Sequence, residues 1–322
     1  MDGLQIYTSK DILKLVNIRS GETKLGQCVE VVTSLETLNT SKARFVLVGI
    51  PEDIGVRANY GLAGAATAWH PTLKALLNTQ SNHFLNGSDL IVLGHFEFAD
   101  SQNNTIEELE RKVTEIDGEV CACIIKIIAA GKIPIIVGGG HNNAYPIIRA
   151  LFLVKGESVE IINIDAHADL REPIGRHSGN SFSYALKEGY IAKYGIFGLH
   201  QNYNNAAILS QVKENKKITA VFFDDILLSD NTATLWNQLI SQFKTPGLEI
   251  DLDSIENVLS SAATPSGFSL NEVRKFILSS SKQFAYLHIC EGASTMKDGR
   301  TSSFTGKSIA YLITDFLKSY NT

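Results

Sequence analysis

Asp165, His167 and Asp169 stand at every second position in the stretch NIDAHADLR, residues 163–171. An apolar run, Ile161, Ile162 and Ile164, leads into them and stops at the first carboxylate. In extended chain, residues i, i+2 and i+4 share one face, so two carboxylates and an imidazole can converge on one point. Asp251 and Asp253 repeat the spacing after the run GLEI, and His141 follows three glycines, 138–140, after IPIIV. Cys290 and Glu291 follow FAYLHI.

One Asp at a strand end is usually a turn or cap residue, and one His is usually a core or surface residue. Four Asp and two His at three such ends are different. Held together without a cation, those carboxylates repel one another and lose their water. The set therefore predicts a metal site: His141, Asp165, His167, Asp169, Asp251 and Asp253. Oxygen and imidazole ligands without thiolate suit Mn²⁺ better than a structural zinc. Six ligands with four carboxylates exceed the needs of one ion and predict two. The residual negative charge would draw a cationic amidinium or guanidinium carbon to the site.

These residues need a scaffold that brings strand ends together. Eight short runs read as buried strands: 45–50, 90–94, 133–137, 159–164, 194–199, 219–223, 247–250 and 284–289. Most are continuous Val, Ile, Leu and Phe rather than alternating, as in a parallel sheet covered on both faces. Helical spacing lies between them. Ile106, Leu109, Val113, Ile116, Val120, Cys123 and Ile127 recur by threes and fours, and Gly131 can cap that helix. Weaker helical patterns lie near 143–154, 180–188, 231–243, 269–281 and 304–318. Strands alternating with helices predict an α/β fold, a three-layer α/β/α domain with an eight-stranded mostly parallel sheet. No linker, repeat or low-complexity tract divides the 322 residues, so one domain, 1–322, is expected, with 1–43 as an N-terminal extension packed on it. In such sheets ligands bind beyond the carboxyl ends of the strands, where the polar residues gather.

Composition excludes several classes. The net charge of −5 argues against a nucleic-acid surface, which needs a basic stripe. No stretch reaches the ~20 apolar residues of a membrane span, and the first residues carry no signal-peptide core. Cysteines 28, 121, 123 and 290 are few, and Cys121 and Cys123 at i and i+2 of a helix do not face each other. Core thiols in a reducing, cytoplasmic setting are expected. Gly138–Gly140 is no phosphate loop, because no Lys-Ser/Thr follows and no G-x-G-x-x-G opens a helix.

GGGH, DAHAD and the later DLD, in this order, resemble the ureohydrolase family of arginase, agmatinase and formimidoylglutamase. The resemblance runs from GIPEDIGVRANYG (49–61) to HICEGA (288–293). It implies an arginase-like fold, a binuclear manganese cluster and a trimeric or hexameric homo-oligomer. It also implies hydrolysis of a non-peptide C–N bond in a small cationic amidine. By resemblance Asp165 and Asp251 bridge two ions, His141 and Asp169 complete one, and His167 and Asp253 the other. Asp169 then passes the proton of the attacking water to the leaving nitrogen, and Glu291 pairs with the cationic nitrogens of the substrate.

Departures bear on the substrate. The family's D-x-D is usually followed by D-P two residues on; here Ser254 to Asn257 follow, which predicts a non-standard loop. Arginases carry a His where Phe182 stands and an Asp where Tyr203 stands. "DLR" followed by "RHSGN" resembles formimidoylglutamase instead. Its substrate, N-formimidoyl-L-glutamate, carries two carboxylates, and the Arg171 guanidinium can hold one bidentately. Ser178 and Asn180 are expected to add donors, with Glu291, as substrate-binding residues. His200 and His288 read as structural, and Arg57 and Asn59 as residues of the pocket rim. The alternatives are an arginase- or agmatinase-like enzyme releasing urea, or a non-catalytic, metal-stabilised member of the family.

Overall fold

The computed structural model describes residues 3–100 and 104–320; the first two residues of the expected extension lie outside them. Nine strands form one sheet: β1 (Leu4–Ile6), β2 (Phe45–Gly49), β3 (Leu90–Phe96), β4 (Ile133–Val137), β5 (Val159–Ile164), β6 (Ile191–Leu199), β7 (Ile218–Phe222), β8 (Gly247–Asp251) and β9 (Leu287–Cys290). Their order is β1-β3-β2-β4-β9-β8-β5-β6-β7. Each of the eight runs expected as strands is one. The ninth corrects the expected count. Leu4, Gln5 and Ile6 pair antiparallel with Phe96, His95 and Gly94, while every other pairing is parallel. Three residues are too short to carry a periodic signal, and only the open edge of β3 gives them a partner.

The continuous apolar runs have their cause in two covered faces. Along β2, Val46 and Val48 enter one apolar cluster, while Phe45 and Leu47 enter the other. The long helix Ile106–Ala129 covers the first face, with Leu109, Val113, Ile116, Val120 and Ile127 buried. Thr105 and Glu108 close a capping box at its start. The helix Thr305–Ser319 covers the second through Ile309, Leu312, Ile313 and Phe316. Five shorter helices escaped the sequence reading: Ser9–Leu13, Ile54–Ala58, Trp69–Leu77, Ala206–Glu214 and Phe223–Leu227. They span two or three turns at most, too few for periodicity to separate from chance.

The order of strands matters for function. β4, β9, β8 and β5 are neighbours at the centre of the sheet, and each ends in one of the polar stretches. The four cysteines are free. No helix among the described residues is long and apolar enough to cross a membrane.

Candidate functional site

Each polar stretch leaves its strand differently. After β4, Gly138 and Gly139 adopt φ of +93° and +77°, a region in which side chains are strained. A Cβ on Gly139 would also lie 2.8 Å from Glu52 Oε1. Glu52 is the clamp of this turn. Its buried carboxylate accepts from the N–H of Gly140 (3.0 Å), Ile54 (2.6 Å) and Gly55 (3.2 Å) and from the side-chain amides of Asn142 (3.2 Å) and Asn143 (2.6 Å). Arg176 Nη2 donates to Asn142 O at 2.9 Å, and Ser181 Oγ to His141 O at 2.7 Å. His141 is thus presented, fully buried, by a rigid loop.

After β5 and β8 the chain turns around the carboxylates themselves. Asp165 Oδ1 accepts from the His167 N–H at 2.7 Å, and Asp251 Oδ1 accepts from the Asp253 N–H at 2.9 Å. These are Asx-type turns, which explain why an aspartate opens both motifs. Asn204 braces the first one, accepting from the Ala168 N–H at 3.0 Å. Asp169 and Glu291 have φ of +50° and +62°. Such backbone is uncommon for residues other than glycine, and it gathers at functional sites.

The six residues expected to ligate metal come together in two groups: His141, Asp165, Asp169 and Asp251, and Asp165, His167 and Asp253. Asp165 belongs to both; Asp251, expected to bridge, falls in the first alone. His141 Nδ1 lies 3.2 Å from Asp165 Oδ2, 3.0 Å from Asp169 Oδ2 and 3.2 Å from Asp251 Oδ2. His167 Nδ1 lies 3.1 Å from Asp253 Oδ2. Yet His141 Nδ1 and Asp253 Oδ1, both buried, make no hydrogen bond. Buried polar atoms normally pair; here one such atom belongs to each of the two groups. Burial, and then the charges of Asp253 and Asp165, push the Asp251 carboxyl well above its usual range. Burial likewise pushes Glu291 up to about 8, with Asp253 and Asp169 adding to it. Such crowding of carboxylates fits divalent cations.

Above the cluster opens a cavity of about 320 Å³, lined by His167, Asp169, Asp251, Asp253 and Glu291 on one side and Arg171, Ser178, Asn59, Tyr203 and Ser261 on others. Arg171 is exposed there, and Asn59 Nδ2 donates to Ser178 Oγ at 3.3 Å. Tyr203 stacks on His167 with ring centroids 5.6 Å apart.

Asn180 requires a correction. It is fully buried and is not among the residues lining the cavity. Its Oδ1 accepts from Arg176 Nη1 at 2.9 Å and from the His177 N–H at 3.2 Å. Its Nδ2 donates to Gly175 O at 2.9 Å and Glu172 O at 3.3 Å. All its hydrogen-bonding capacity holds the 172–180 loop. Phe182 also lies away from the cavity, stacked on Tyr194 and edge-on to His141. Arg57 pairs with Asp53 at 3.0 Å and with Asp100 and does not line the cavity; Asn59 does. His288 is wholly buried against Glu249, and His200 stacks on Phe223 and Tyr203.

Three residues of this region were missed in the sequence. Glu52 and Glu249 could have been noticed as carboxylates inside or beside apolar runs. Arg176 gave no signal, since its partner Asp117 is 59 positions away.

The fold and the donor set define an α/β enzyme that works at the carboxyl edge of a parallel sheet. The chain belongs to the arginase family, whose model matches residues 43–314. It is 29% identical over 287 residues to a formimidoylglutamase of Macrococcus caseolyticus, covering 87% of each chain. It is 26% identical over 253 residues to one of an Enterobacter species, covering 76% of each. Among solved structures, Bacillus subtilis formimidoylglutamase superposes with a TM-score of 0.78 at 17% identity, covering 95% of this chain and 94% of that one. Trypanosoma cruzi formiminoglutamase, described with Mn²⁺, superposes at 0.72 with 21% identity, covering 94% and 99%. The chain is thus a hydrolase of the arginase family.

Proposed function

We propose that this chain is a manganese-dependent formimidoylglutamase that hydrolyses N-formimidoyl-L-glutamate to L-glutamate and formamide. One observation carries the reading. A single cavity has an oxygen-rich floor suited to divalent metal and, on another wall, a guanidinium suited to a carboxylate. The named relatives and the Mn²⁺-containing neighbour support it.

His141, Asp165, Asp169 and Asp251 would hold one ion, and Asp165, His167 and Asp253 a second. Such ions would offset the carboxylate charge and make water at the cavity floor nucleophilic at neutral pH. The remaining work falls to the chain. Arg171 holds a substrate carboxylate and so fixes where the amidine carbon lies. Glu291, ionised beside the cationic amidinium, accepts from its N–H groups. As water adds to that carbon, Asp169 takes up its proton. Asp169 then delivers the proton to the glutamate nitrogen while the C–N bond breaks.

The test is to load the protein with Mn²⁺ and supply N-formimidoyl-L-glutamate, arginine and agmatine separately, assaying formamide and urea. Formamide from the first substrate alone supports the reading. Urea from either guanidine at a higher kcat/KM overturns it.

A further inference from the structure

Glu249 is a carboxylate that the reaction above does not use. It lies in the middle of β8 with no exposed surface. Leu248 and Ile250 on either side enter an apolar cluster, so Glu249 belongs to the opposite face. That face carries the site. Across β8 and its neighbours, Asn163, Glu249 and His288 form one level, and Asp251 pairs with Cys290 two residues further on.

The partners of Glu249 are specific. Tyr286 donates its hydroxyl hydrogen to Oε1 at 2.6 Å, and His288 Nδ1 lies 2.5 Å from Oε2. The same Oε2 lies 3.6 Å from His141 Nε2. His141 Nε2 is buried and has no hydrogen-bond partner among the described residues. The two nitrogens of His141 therefore see different surroundings: Nδ1 faces the three aspartates and Nε2 faces Glu249.

A neutral imidazole has one N–H and one bare nitrogen. To ligate a cation among Asp165, Asp169 and Asp251, Nδ1 must be bare, and the proton must sit on Nε2. A buried carboxylate behind a ligating imidazole fixes that tautomer and the ring's orientation. We infer that Glu249 is the positioning residue of His141, holding its proton on Nε2 so that Nδ1 offers its lone pair to the ion on the Asp169 side of the site. The inference rests on the manganese reading and deepens it. It assigns Glu249 to one half of the centre: in the second group, the carboxylates beside His167 among the described residues are Asp165 and Asp253, both ligand candidates themselves.

The experiment is a stepwise Mn²⁺ titration by calorimetry, with bound metal counted, on the wild type, Glu249→Gln, Glu249→Asp and Tyr286→Phe. Glu249→Gln keeps the size and removes the charge. It should weaken one Mn²⁺ step by roughly tenfold or more and leave the other within about twofold. Glu249→Asp keeps the charge and should retain more of that affinity than Gln. Tyr286→Phe takes a donor from Glu249 but leaves the carboxylate facing His141. It should lower the melting temperature while both Mn²⁺ steps stay within about twofold of the wild type. Two unchanged steps in Glu249→Gln, an equal loss in both, or a matching loss in Tyr286→Phe would each overturn the inference while leaving the functional reading standing. A wild type that takes up no Mn²⁺ would overturn both.

Discussion

The main-chain N–H of His141 donates to Glu291 Oε1 at 2.9 Å. The bond joins the turn after β4 to the end of β9, and it gives Glu291 a structural duty beside its proposed contact with substrate. The two duties separate on substitution. Glu291→Gln keeps an oxygen to accept from His141 but loses the charge that a cationic amidine needs. Mn²⁺ binding and melting temperature should stay near wild type, while kcat/KM falls by about tenfold to a hundredfold, the worth of a hydrogen bond to a charged group. Steady-state kinetics beside a melting curve test this; an equal loss of Mn²⁺ affinity would show the structural duty to dominate.

Asp251 sits among like charges and buried. Its replacement by Asn should act in opposite directions with and without metal. In chelator, Asp251→Asn relieves repulsion and should melt higher than the wild type. With saturating Mn²⁺ the wild type gains the binding free energy and should melt higher than the variant. Four melting curves decide it, and a variant less stable in both conditions would contradict the account.

Arg171 is exposed at the cavity and Asp251 is not, so their substitutions should differ in kind. Arg171→Ala should raise KM for N-formimidoyl-L-glutamate by about tenfold or more, equivalent to about 1.4 kcal/mol. The melting temperature should not move, as befits an exposed side chain. An unchanged KM would remove Arg171 from the recognition of the carboxylate.

His177 supplies a pH dependence of folding. Burial, and then the charges of Arg171 and Arg176, lower its pKa to about 4. The Gly179 N–H donates to its Nδ1 at 3.1 Å, a bond that needs the ring neutral. Because the folded state disfavours the proton that the unfolded chain accepts near pH 6.5, this contribution is complete above that pH. It is lost progressively as pH falls from about 6.5 to 4. Asn at 177 can offer a similar acceptor without titrating. The stability difference between His177→Asn and the wild type should therefore shift in favour of the variant across that window, as read from denaturant midpoints.

Arg176 and Asp117 form a buried pair, with Nε to Oδ2 at 2.8 Å and Nη2 to Oδ1 at 3.1 Å. The guanidinium also lies over the rings of Tyr145 and Tyr184. Asp117→Ala leaves a buried cation without its carboxylate and should cost about 3–5 kcal/mol. Because Arg176 also holds Asn142 O, the loop of His141 should loosen, and Mn²⁺ affinity should fall with stability.

The candidate site was legible in the sequence to the extent that its chemistry is local. Asp165, His167 and Asp169 declare themselves by alternation at the end of an apolar run, and Asp251 and Asp253 repeat the device. Asn180 was misplaced because its residue type and neighbours suit a ligand donor. Only packing shows that its amide is consumed by Arg176, His177, Glu172 and Gly175.

By itself the sequence determined eight of the nine strands, the parallel sheet with both faces covered, and the six residues that gather at its carboxyl edge. Those follow from local pattern: continuous apolar runs, helical spacing and side chains two apart on one face. The tertiary structure alone decided the edge strand Leu4–Ile6, the clamp of Glu52 on the glycine turn, the Arg176–Asp117 pair and the place of Glu249 behind His141. Each depends on residues brought together from 37 or more positions away, such as Glu52 with Asn143 or Glu249 with Tyr286 and His288. Buried polar atoms must find partners wherever the chain brings them, and no local pattern encodes that choice.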